Sequence, residues 1–323
     1  VIDSEASKIM NGSFAEAKKI LEDFFEEFTR KHYDKIAKKL ECNSIYDTSD
    51  CSDYKEKFNA MENKAEKISI AERALKGRLL GGVDVATSYM KISAYSGELV
   101  SEKDLNGYTI IFLHDFFDSP HIYYDLVFID FWEWICFTIE KLEKFNIKFA
   151  IKPHPNQINL SKEATIELKN KYPTVEWLDD RFNNLKMVHL GIKCGITMYG
   201  SVSHELAYMG VPSIACARNP HHAFSFCKTA KSKEEYSGYL MQIPKMNLNK
   251  DCLKEESLQF YYMHNLNMDE SGLFLRDAYI NLWRKCNVDE SSNADVIEAV
   301  KKLKDSREFD AFIDELIESI GDK

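Results

Sequence analysis

The feature that most constrains this chain is a change of rhythm at Asn106-Gly107. From there to about Leu240, short apolar, β-rich runs alternate with stretches whose apolar residues recur at helical spacing. Tyr108-Thr109-Ile110-Ile111-Phe112-Leu113 and residues 147–151, 175–178, 191–198 and 212–217 read as strands; 131–145, 161–171 and 203–209 read as helices between them. That alternation predicts an α/β fold of Rossmann-like type, a mainly parallel sheet with helices on both faces. Residues 13–75 instead carry Lys, Glu and Phe at helical intervals, broken by a polar loop at 43–53, and 78–82 and 87–97 read as an irregular connection. From Lys233 onward the pattern is mainly helical. Three regions are expected: a helical N-terminal region over 1–106, a Rossmann-like domain over 107–240, and C-terminal helices over 241–323 that pack on the sheet or return to the N-terminal region.

Composition narrows the function classes. With 323 residues, 45% of them hydrophobic, the chain can bury a substantial core. A formal net charge of −10 argues against nucleic acid as a partner, because backbone-directed binding needs a basic surface. No apolar run approaches the roughly 20 residues of a membrane helix, and residues 1–14 lack the pattern of a secretion signal, so a cytoplasmic location is expected. The eight cysteines contain no CxxC pair, which points to neither a zinc site nor a disulfide framework; Cys136, Cys194 and Cys216 sit in apolar stretches as small hydrophobes. No metal and no resident cofactor are expected.

Ligands of open parallel sheets bind beyond the carboxyl ends of the strands, where the strand order reverses, and four polar clusters of this chain fall at such ends. Tyr199-Gly200-Ser201-Val202-Ser203-His204-Glu205 lies between a strand and a helix. Gly200 permits close backbone approach, Ser201 or Ser203 suits an N-cap, and Glu205 is placed to accept ribose hydroxyls; the plainer reading is an ordinary capped turn. In Lys152-Pro153-His154-Pro155 the two prolines stiffen a segment that holds a cation and, between them, an imidazole, as a rigid anion clamp would. The stretch 114–121 offers His114, Asp115 and Asp118 for acid–base or nucleophilic work, with Asp118-Ser119-Pro120 equally readable as a turn. Asn219 and His221, in the loop after the strand 212–217, suit a substrate or phosphate contact, whereas Phe260-Tyr261-Tyr262 reads as core.

These motifs resemble those of bacterial capsule and lipopolysaccharide glycosyltransferases of the GT-B type, in particular the group related to capsule-synthesis Kdo transferases. The resemblance runs over about residues 77–240 and rests on Lys152-Pro153-His154-Pro155, on Tyr199 to Glu205 followed by Gly210-Val211-Pro212, and on the loops 114–121 and 219–221. It implies a nucleotide-sugar donor, a CMP-sugar in first place, with Lys152, His154, Pro155, Gly200, Ser201, Ser203, His204, Asn219 and His221 around the donor, Glu205 at the ribose and Asp115 as base or nucleophile. It also implies a glycan or glycolipid acceptor and peripheral association with a membrane-bound polysaccharide assembly complex at the inner membrane. The chain departs from the pattern in its helical residues 1–106, where a complete GT-B enzyme has a second Rossmann-like domain for the acceptor. Two other readings stay open: a polyol-phosphate transferase or UDP-sugar epimerase of similar fold, and a noncatalytic nucleotide-sugar-binding scaffold subunit.

Overall fold

The computed structural model describes residues 51–82, 93–95, 104–116, 127–216, 219–246, 249–268, 270–287, 292–311 and 314. Asp50–Asn267 form one compact unit, and Val1–Ser49 with Met268–Lys323 a second. The boundaries expected at 106 and 240 both fall inside the first of these.

In the first unit two helices, α1 (Tyr54–Ala60) and α2 (Lys64–Leu79), precede an α/β core. The core runs β1 (Thr109–Phe112), α3 (Phe131–Lys144), β2 (Phe149–Lys152), α4 (Asn159–Lys171), α5 (Asn184–His189), β3 (Cys194–Ile196), α6 (Val202–Tyr208), β4 (Ser213–Ala215), β5 (Cys227–Thr229) and α7 (Lys233–Gln242). A helix α8 (Lys250–Tyr261) follows and packs on α6 and α2. The five strands form one parallel sheet in the order β2-β1-β3-β4-β5, with Ile111 of β1 opposite both Ile151 and Ile196.

The sheet is covered on both faces because its strands are apolar on both faces. Side chains alternate across a strand. Ile111 therefore joins Ile151, Ile196 and Ile214 under Trp134, Ile135 and Ile139 of α3 and Tyr236 and Leu240 of α7. Ile110 and Phe112 join Ala150, Met187 of α5 and Leu206 of α6 on the opposite side. On the first face the Trp134 indole N–H donates to the Tyr236 hydroxyl at 3.0 Å, and Thr138 Oγ1 lies 2.9 Å from the same oxygen, so the buried polar atoms of α3 and α7 satisfy one another. On the second face Gly195 lets α6 approach β3: a Cβ there would stand 2.3 Å from Leu206 Cδ1.

In the second unit α9 (Glu270–Asn287) packs on α10 (Asn293–Lys304). Ser292 and Asp295 close a reciprocal capping box at the start of α10.

The structure differs from the sequence reading at four places. Residues 175–178 contribute only an isolated bridge from Trp177 to Ile151, while Cys227–Thr229 adds an edge strand that was not expected. Asn184–His189 is helical, and α2 runs on through Arg78, which the sequence placed in an irregular connection. The described residues hold one five-stranded sheet, so the two-domain pairing implied by the GT-B resemblance is not seen among them. Residues 1–50 lie outside the described residues.

Candidate functional site

The strand order reverses at β1. The chain passes from β1 to β2 on one side and returns to β3 on the other, so the carboxyl ends of β1 and β3 flank the switch point where such sheets bind ligands. A cleft of about 230 Å³ opens there. It is lined by the segments that follow β1, β2 and β3, by Asn184 at the start of α5, and by two contributions from outside the core, Arg78 and residues 93–95.

The clamp after β2 sits in this cleft. Lys152 is the last residue of β2 and is buried, and its ammonium donates to Asn184 Oδ1 at 2.8 Å. Burial lowers its pKa to about 8, a shift that the Glu205, Asp180 and Asp179 carboxylates partly oppose. Pro153, His154 and Pro155 line the cleft beside it. The Asn156 backbone N–H donates to His154 Nδ1 at 3.2 Å, which places the proton of the neutral ring on Nε2.

His114, the second residue after β1, forms part of the floor. Its ring stacks on Phe131 with centroids 5.0 Å apart, and its Nε2 lies 2.8 Å from Thr197 Oγ1. The Gly200 N–H donates to the same hydroxyl at 3.1 Å, and a Cβ at Gly200 would come within 2.7 Å of it. The glycine serves close approach. Burial, helped by nearby His154, lowers the His114 pKa to about 3, so the ring is neutral at physiological pH.

The opposite wall centres on Glu205. One carboxylate oxygen pairs with the Arg78 guanidinium and the other accepts from the Tyr95 hydroxyl, and all three side chains are buried. Arg78 also donates to Ser201 Oγ at 3.3 Å. Ser201 occupies the N-cap position of α6, but its hydroxyl makes no capping bond. Residues 93–95 are tied to α5: the Asn184 N–H donates to the Ala94 carbonyl at 3.1 Å, and Asn183 Nδ2 to the Tyr95 carbonyl at 2.6 Å. Asn183 at the same time caps α5, accepting from the N–H groups of Leu185 and Lys186.

Of the residues that the sequence singled out, the fold gathers His114, Lys152, His154, Pro155, Gly200, Ser201 and Glu205 around one cleft. Among the described residues it does not bring Asp115, Ser203, His204, Asn219 or His221 there. Asp115 accepts from the Ile158 N–H at 2.8 Å and from Ser161 Oγ at 2.5 Å, anchoring the start of α4. Each step along a helix turns the side chain by about 100°, so Ser203 and His204 point away from the face that carries Glu205. Ser203 meets Cys227 of β5, and His204 packs on Phe260 with Nδ1 3.2 Å from His221 Nε2. Asn219 and His221 are buried behind α6, where Asn219 organises the turn through its bond to the His221 N–H. Asp118 lies outside the described residues.

Sequence reasoning missed Arg78, Tyr95, Thr197 and Asn184. For Asn184 a signal was present, since Asn183-Asn184 ahead of Leu185 and Val188 is a helix-start pattern.

No described helix is long and apolar enough to cross a membrane. No protein-family profile matches the chain, and no curated protein matches it. Among solved structures the chain is similar to Thermosulfurimonas dismutans KpsC, described as a beta Kdo 2,4 transferase, at 16% identity and a TM-score of 0.40. The match covers 63% of this chain and 56% of that one, so the chain spans little more than half the length of that protein.

Proposed function

We propose that the cleft binds the phosphoryl group of a nucleotide-activated sugar, a CMP-sugar in first place, and that the protein is a glycosyltransferase acting on a glycan or glycolipid acceptor at the cytoplasmic side of a membrane. The observation that carries this reading is the convergence of Lys152 and His154, from the connection after β2, with Ser201, from the connection after β3, on one cleft at the switch point. A buried ammonium and an imidazole N–H in preset positions stabilise the negative charge that grows on a departing nucleotide, and they do so without reorganising during the reaction. The base or nucleophile is sought among His114, Asp115 and Asp118: His114 is neutral, the form that can accept a proton, though burial makes it a weak base, and Asp115 already accepts from the Ile158 N–H and Ser161 at α4.

That engagement of Asp115 and His114 also favours a second reading, a subunit that binds nucleotide sugars without transferring them. Thermal denaturation with CMP, UDP, CDP and GDP tests the shared part, since a ligand that binds only the folded state raises its stability. CMP is expected to raise the Tm of the wild type, with the gain lost in Lys152→Met and Ser201→Ala; no response to any nucleotide removes the proposal. Donor hydrolysis or transfer that drops strongly in His154→Ala supports the enzyme, and binding with no turnover of any activated sugar supports the second reading.

A further inference from the structure

Arg78 lies in the last turn of α2, well before the sheet begins, yet its side chain is set in the cleft wall at 3% exposure. A buried guanidinium is tolerated only when it is paired, and Glu205 supplies the charge. The pairing is directional: the Glu205 oxygen left over by Arg78 accepts from Tyr95, and Arg78 also donates to Ser201 Oγ, the hydroxyl at the head of α6 that faces the cleft. The guanidinium is thereby fixed in a wall of the cleft that Lys152 also lines.

We propose that Arg78 recognises the phosphoryl group of the bound ligand together with Lys152, and that Glu205 and Tyr95 are positioning residues that hold the guanidinium for it. The inference rests on the nucleotide-sugar reading above and names the part of the ligand this wall reads. A planar guanidinium matches the oxygens of a phosphoryl group in a way that a point-charge ammonium does not, so the two cations act differently. Glu205, with one oxygen on Arg78 and the other on Tyr95, is reassigned from the ribose to the support of Arg78.

The test compares nucleotides with their nucleosides: CMP against cytidine, UDP against uridine and GDP against guanosine, by calorimetry on the wild type and on Arg78→Lys. The expected result is a loss of tenfold or more in affinity for the nucleotide that the wild type binds, with the nucleoside within twofold. An equal loss for both, or no loss for either, overturns the role of Arg78 and leaves the nucleotide-sugar reading standing. A wild type that binds no nucleotide removes both. Should Arg78→Lys fail to fold, Glu205→Gln decides, because its amide oxygen can still accept from Arg78 and its NH2 can donate to the Tyr95 hydroxyl, while the counter-charge is removed. The ratio of nucleotide to nucleoside affinity is then expected to shift at least threefold, and an unchanged ratio overturns the inference.

Discussion

Lys152 is a cation held where water scarcely reaches it, and its electrostatics are testable apart from any ligand. Its folded pKa, about 8, lies below its ordinary 10.5, so between those values the unfolded chain binds more protons than the folded one. Stability attributable to this residue therefore rises with pH through that window, and below it the buried charge costs on the order of 3 kcal/mol. The stability difference between Lys152→Met and the wild type, from urea titrations at pH 7 and pH 10, is expected to favour the variant most at pH 7 and to narrow by pH 10. Lys152 and His154 were legible in the sequence because the lysine directly precedes a histidine flanked by two prolines. Arg78 and Tyr95 were not, because what gives them meaning is a carboxylate more than a hundred positions away, and no local pattern encodes such a contact.

Between elements, the tightest approach near the cleft is that of α6 to β3 at Gly195. A Cβ there would stand 2.3 Å from Leu206 Cδ1, so Gly195→Ala must shift the buried Leu206 side chain and press on the helix that carries Ser201 and Glu205. A loss of about 1–3 kcal/mol is expected in denaturant titrations, together with weaker nucleotide binding, and the added Leu206→Ala is expected to recover binding more fully than stability. Asn183→Ala removes a helix cap and the tie to the Tyr95 carbonyl together. It is expected to cost about 1–2 kcal/mol, measured the same way. The parallel strands at the centre of the sheet were legible because they are buried on both faces and read as continuous apolar runs. β5 was not: it is three residues long, contains Lys228, and pairs on one side only, so its sequence resembles a loop. Residues 175–178 have the composition of a strand but form one bridge, because the chain turns away from the sheet after Leu178.

Across the whole Asp50–Asn267 unit, three buried imidazoles make the fold sensitive to acid. Burial lowers the pKa of His114 and of His221 to about 3, and holds His204 well below its ordinary 6.5. The unfolded chain takes up protons at all three as the pH falls below 6.5 while the folded chain does not, so stability is full above that value and is lost progressively toward pH 3, at up to about 1.4 kcal/mol per pH unit for each ring. The Tm is expected to fall steeply between pH 6 and pH 4, and less steeply in His204→Phe or His221→Phe if those variants fold. Residues 93–95 add a different consequence at this scale. They are tied to α5 through the Asn183 side chain and the Asn184 backbone N–H and not through strand pairing, so the cleft wall depends on a few hydrogen bonds and not on the length of chain between them. Asn183 must accept with Oδ1 and donate with Nδ2. Aspartate would cap the helix but lose the bond to the Tyr95 carbonyl, leaving the Asn184 N–H to Ala94 and the Tyr95 hydroxyl to Glu205 as the remaining ties. Insertions at the turns between the described elements, such as that between α3 and β2, would leave cap and wall intact, so proteins that share this cleft are to be recognised by the set Arg78, Tyr95, Lys152, Asn183 and Glu205 at variable spacing.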